Sequence, residues 1–207
     1  MVEVRQMSFG EKLSGVLSYK RLVEDFSRSL VSQELGEEKF SELQNIWQRE
    51  SQPIPENAAD EEKYEIAYRN FLQNWVSANN FMGKHQGEDG TKKFMHAAIA
   101  GWKRKYARQA LALKIIWIFA PKTAFQILAK KLAYELQVFS PFTISQINKE
   151  QLVLAVTPCK IADTQRNSSF CVMACQNIIP AWLEAQFNVK MSPNRQGNNC
   201  TVTFAHF

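Results

Sequence analysis

A chain of 207 residues with 45% hydrophobic and 22% charged residues is long enough to bury a core and too apolar to be disordered. Its apolar runs are short; the best, Ile115 to Ala120, lies between Lys114 and Lys122, far below a bilayer span. The net charge of +5 is unevenly spread: residues 1–62 carry 13 acids and 7 bases, whereas residues 92–131 carry 10 bases and no acid. A basic middle beside an acidic start points to an anionic surface as partner, or to packing of one segment on the other.

The opening Met1-Val2-Glu3-Val4-Arg5-Gln6 has an early acid and no apolar run behind it, so a cytoplasmic chain is expected. Four cysteines in such a chain are core thiols, redox groups or metal ligands rather than a disulfide framework.

Helices come first. Ser8 to Ser32 and Glu37 to Arg49 read as helical, and Pro53 and Pro55 end that stretch. Asp60 is placed to cap the next helix, in which Tyr64, Tyr68, Phe71 and Trp75 share one face. Gly83, Gly87 and Gly90 mark a loop. A long helix follows from about Thr91 to Phe119, with Trp102, Tyr106, Leu113 and Trp117 on a stripe. Its bases, among them Lys103, Arg104, Lys105 and Lys114, are scattered around the cylinder; with Lys122 they are candidates to face a membrane. Pro121 opens another helix, striped by Phe125, Leu128, Leu132, Leu136 and Phe139 and stopped at Ser140-Pro141.

The character then changes. Leu152 to Val156 reads as a buried strand, and Phe170 to Phe187 as a helix capped by Asn167 or Ser168. Asn188 to Met191 and Thr201 to Phe204 read as two strands joined by a turn over Ser192 to Asn199. The expected fold is therefore α+β and mainly helical, with N-terminal helices followed by a small β-α-β-β unit built on an antiparallel sheet. The segments are 1–58, a helical start; 59–148, with the basic helices; and 149–207, the cysteine-bearing α/β unit. All three are expected to form one compact domain.

Cys159, Cys171, Cys175 and Cys200 all lie in that last segment. Cys171 and Cys175 are four apart near a helix start, where the partial positive charge favours thiolates. If the last strand pairs antiparallel with the first, Cys200 comes beside the end that carries Cys159. Soft thiolates suit iron or zinc, and the spacing lacks the paired C-x-x-C of zinc ribbons. Burial of each cysteine separately in a core explains the same residues. No acid–base pair or Ser/His/Asp set is evident; Asp163 and His206 stand close to the cysteines in sequence.

The run Cys159-Lys160-Ile161, the pair Cys171-Val172-Met173-Ala174-Cys175, then Pro180, Phe187, Pro193-Asn194 and Cys200-Thr201-Val202-Thr203-Phe204 together resemble the C-terminal domain of the plant β-carotene isomerases of the strigolactone pathway, the "dwarf" isomerase family with algal and cyanobacterial relatives. The resemblance covers about fifty residues. Plant members carry a further cysteine where Ile179 stands, Gly where Ala205 stands and Glu where Ser192 stands, and they continue into a further cysteine-bearing tail beyond the position of Phe207. The resemblance implies a carotenoid cis/trans isomerase acting on all-trans and 9-cis β-carotene. It implies an iron centre, mononuclear or iron–sulfur, with the four cysteines as metal ligands. It also implies a location at a thylakoid or inner-membrane surface, or in a plastid.

A polyene substrate has no polar handle and needs an apolar groove, for which Trp102, Tyr106, Trp117, Phe125 and Phe139 are candidate lining residues. The alternatives are a non-enzymatic carotenoid or lipid binder and an iron–sulfur redox sensor. A nucleic-acid protein ranks last, because no recognition motif accompanies the bases.

Overall fold

The computed structural model describes residues 4–161 and 170–206. The fold is α+β and mainly helical, with an antiparallel sheet near the C-terminus. The chain gathers into two compact units, one of residues 8–105 and the other of the N-terminal residues to Met7 together with the chain from Tyr106 on. Packing thus divides the chain within a helix, whereas the sequence reading placed its boundaries near 58 and 148 by composition.

In the 8–105 unit, helix α1 (Phe9–Leu35) begins at a capping box: the Glu11 backbone N–H donates to Ser8 Oγ at 3.2 Å, and the Ser8 N–H to Glu11 Oε2 at 2.8 Å. Gly36, at φ 95°, breaks the chain before α2 (Glu37–Glu50). Helix α3 (Asp60–Phe119) takes Asp60 as its first residue rather than its cap. It continues through the glycine stretch expected as a loop, with one break at Gly87 (φ 61°, ψ −141°). The two limbs on either side lie against each other. The Trp75 ring centroid sits 5.0 Å from Phe94 and 5.8 Å from Trp102. Phe26 from α1 completes the cluster, 5.3 Å from Phe94 and 6.0 Å from Trp75. The Tyr64, Tyr68, Phe71 and Trp75 face is buried, as its spacing requires. Lys93 and Glu34 tie the second limb to α1 at 2.6 Å.

In the other unit, Pro121 opens α4 (Pro121–Leu136). The buried Gln137 amide clasps the N-terminal segment, accepting from the Met7 N–H at 2.8 Å and donating to the Arg5 carbonyl at 3.0 Å. Four strands follow: β1 (Thr143–Ile147), β2 (Gln151–Val156), β3 (Val189–Gln196) and β4 (Asn199–His206), in the order β1-β2-β4-β3, all antiparallel. β1 escaped the sequence reading because it is a largely exposed edge strand with no apolar alternation, and a register shift interrupts it between Ile144 and Gln146. β2 is buried on one face only, through Leu152, Leu154 and Val156. The long turn expected over Ser192 to Asn199 is instead strand on both sides of a two-residue turn at Gly197-Asn198. Gly197, at φ 60°, takes the first central position, as a type II′ hairpin asks.

The helix expected from Phe170 to Phe187 is present but wound in two ways. Cys171–Ile178 is π-helical, and α5 (Ile179–Phe187) is α-helical. The Ile179 N–H donates to the Ala174 carbonyl five residues back, and Asn177 Nδ2 donates to the Val172 carbonyl at 2.5 Å. Pro180 supplies the reason: it has no N–H, and its ring crowds the carbonyl four residues earlier, so the preceding turn widens. Asn167 and Ser168, the expected caps, lie outside the described residues, as does Asp163.

Candidate thiol-lined site

Directly opposed residues in an antiparallel ladder share a face. Val156 of β2 opposes Cys200 of β4, and Arg195 of β3 opposes Cys200 from the other side. The same face carries Leu154 opposite Val202, and Leu152 opposite Phe204. These four are buried; half-buried Cys200 and exposed Arg195 stand on the same face, at its open end. Cys159 follows three residues after Val156, held by its N–H donating to the Asn198 carbonyl at 2.7 Å. The hairpin turn thereby fixes the strand exit that carries the first cysteine.

All four cysteines are free, and all four line one cavity of about 60 Å³. Phe139, Ser140, Ile161, Ile179, Met191 and Val202 are among its walls, and Arg195 and Gln176 add polar groups. The Ser140 hydroxyl donates to Cys159 Sγ at 3.9 Å and accepts from the Lys160 N–H at 3.1 Å. The convergence expected from strand end, helix start and last strand is thus present. Among the described residues, however, no three His, Cys, Asp or Glu side chains stand close enough to share an ion. The sulfurs border a common space without closing around a point.

Burial pushes the Cys171, Cys175 and Cys200 thiols up from their ordinary range, and neighbouring cysteines push the same way. The Arg195 guanidinium opposes this at Cys171, by charge and by a hydrogen bond. At Cys200 the Asn194 backbone N–H and the Arg195 charge oppose it. The donor set is soft and suits iron or zinc. A cation here has to draw the sulfurs in from the walls and take the place of their protons.

The five aromatic candidates are not gathered into one groove. Trp102 is buried in the core of the 8–105 unit, 5.8 Å from Trp75 and 6.2 Å from Tyr19. Tyr106 packs on Trp182 at 5.4 Å, and Trp117 on Phe187 at 6.1 Å and on His206 at 4.9 Å. Phe125 is fully buried, 6.1 Å from His206. Only Phe139 borders the thiol cavity. Of the five bases, Lys105 is held by Ser18 and over the Tyr19 ring, and Lys122 pairs with Glu150 at 3.0 Å. Lys103, Arg104 and Lys114 are exposed.

Two residues of the site were not read from the sequence. Ser140 looked only like a helix stop, and Arg195 like part of a turn. Arg195 becomes visible once the hairpin turn is shortened to two residues, because that register sets it across from Cys200. No family model matches the chain, and no curated protein matches it.

Proposed function

We propose that the four thiols bind a soft metal ion, iron first and zinc second, and that the chain is a carotenoid cis/trans isomerase acting on an all-trans or 9-cis β-carotene-like polyene. One observation carries this reading: cysteines from a strand exit, a π-helical segment and the last strand border a single, mostly apolar cavity. The resemblance of the cysteine segment to the β-carotene isomerases supplies the reaction.

Iron held by Cys159, Cys171, Cys175 and Cys200 would supply reversible one-electron chemistry, which could lower the order of a double bond with no net redox change. The chain's own residues do the rest. Phe139, Ile161 and Met191 line the thiol cavity with hydrocarbon. Arg195 favours the thiolate at Cys171 and Cys200. The cavity, at about 60 Å³, has room for an ion and not for a polyene, so the hydrocarbon has to lie outside it. No described helix is long and apolar enough to cross a membrane. Under this reading the chain works at a membrane surface, thylakoid or inner membrane, or within a plastid, where such a substrate dissolves.

The cavity's small size favours a second reading, an iron–sulfur redox sensor; a carotenoid or lipid binder without turnover is the other alternative, and it too has to hold its ligand outside the cavity. The test has two parts. Protein purified without oxygen is analysed for metal and sulfide; iron with sulfide indicates a cluster, iron alone a mononuclear site, and neither metal returns the thiols to the core. Expression in β-carotene-producing cells, beside a Cys175→Ser control, then reads the cis/trans ratio. Bound iron with an unchanged ratio selects the sensor or binder.

A further inference from the structure

The end of α3 is apolar on both sides. Ala110 and Leu113 turn inward and are buried. On the opposite side Leu111, Ile115, Ile118 and Phe119 recur at spacings of four, three and one, which places them along one helix face. They are 65%, 56%, 77% and 83% exposed. Scattered exposed apolar residues are ordinary, but four on one helical stripe form a patch that calls for a partner. Arg108 and Lys114 flank the stripe, both exposed. Residues 106–131 hold five bases and no acid.

We propose that this stripe is a membrane-docking tip that inserts its apolar side chains into the interfacial layer of an anionic bilayer. The charge pattern selects this occupant over a second copy of the chain. A two-fold contact through the stripe brings two copies of a basic segment together, and residues 106–131 contain no acid to offset the charge. Anionic headgroups neutralise the same bases, while the acyl boundary takes Ile118 and Phe119. The helix lies in the interface and does not span, in keeping with its short apolar length. The proposal names the surface that the membrane location above requires. It rests on residues other than the cysteines, so either reading can fail alone.

The test is co-sedimentation of the full chain with phosphatidylglycerol/phosphatidylcholine vesicles and with pure phosphatidylcholine vesicles, alongside sedimentation of the protein by itself. The expected result is binding to the anionic vesicles, weakened by salt. Phe119→Ser and Ile118→Ser each weaken it about tenfold, from the lost burial of one large side chain. Arg108→Glu with Lys114→Glu keeps the apolar stripe and abolishes the preference for anionic vesicles. All the substituted residues are exposed, so circular dichroism should show unchanged helix content. Failure to bind either vesicle overturns the proposal. So does binding that the Ser variants leave intact, or self-association that the same substitutions remove.

Discussion

Exposed Arg195 and half-buried Cys200 face each other across the β3–β4 hairpin at the open end of the core-facing side of the sheet, which places a fixed positive charge beside thiols that burial otherwise keeps protonated. Replacing Arg195 with Gln removes that charge while keeping much of the side-chain bulk. Alkylation of Cys171 and Cys200 by iodoacetamide at neutral pH should slow, with the reactive pH range moving upward. Lys190→Gln, an exposed change on the same strand, should leave both rates alone.

The thiols also give stability a pH dependence. Their folded values are raised above the ordinary 9.0, so in alkali the unfolded chain loses its thiol protons first. Their contribution is full below pH 9 and drains away as pH rises through the raised folded values. Urea midpoints of the metal-free chain should therefore fall on going to higher pH. Metal loading reverses the preference, because ligation needs thiolates, and should release protons measurable in weakly buffered solution. Equal slopes for metal-treated and metal-free protein would count against ligation by the cysteines.

Gly87 carries the turn between the two limbs of α3 at φ 61°, ψ −141°, a region closed to residues with a Cβ. Gly87→Ala should cost about 1–3 kcal/mol. Gly90→Ala meets a different obstacle: its Cβ would stand 2.2 Å from the Met82 carbonyl oxygen, so backbone has to shift. Both should lower thermal midpoints, whereas alanine at Gly83 should cost less, since its Cβ would meet only the Thr91 hydroxyl, at 3.3 Å, and a side chain gives way by a few tenths of an ångström more easily than backbone.

Trp75→Ala should remove about 3–5 kcal/mol, since the ring is fully buried among Phe26, Phe94 and Trp102. Phe119→Ala, at 83% exposure, should change stability by less than about 0.5 kcal/mol. Denaturant titration of the two variants in parallel measures the contrast. A large loss for Phe119→Ala would mean that its side chain is covered in solution.

Much of this architecture was legible because the relevant signals are local. Pro121 at a helix start and the four-three-four spacing from Tyr64 to Trp75 each act within a turn or two of chain. The cysteine corner was legible for a related reason: antiparallel pairing of the first and last expected strands is enough to bring Cys200 near Cys159. What escaped depends on partners distant in sequence. β1 is a strand because β2 is beside it, not because Thr143 to Ile147 alternates. The aromatic stripes signalled burial for Trp102, Phe125 and Phe139, with Tyr106 and Trp117 half-buried, and gave no information on what they pack against, so Trp102 and Phe139 looked alike and serve different cores. The π-helical winding before Pro180 was not read either: a proline in the middle of the expected Phe170 to Phe187 helix requires the preceding turn to deform, but does not say in which way.

Pro193 has an effect beyond its place in the cysteine-bearing hairpin. It sits in β3, which is an outer strand of the sheet, paired with Val202 on one side only. Proline offers no donor to a newcomer, and on the far margin the slipped register of β1 leaves an uneven template. Both margins thus resist recruitment of another strand. The sheet tends to stay four strands wide, and the domain that carries the four thiols is guarded against polymerising through its backbone.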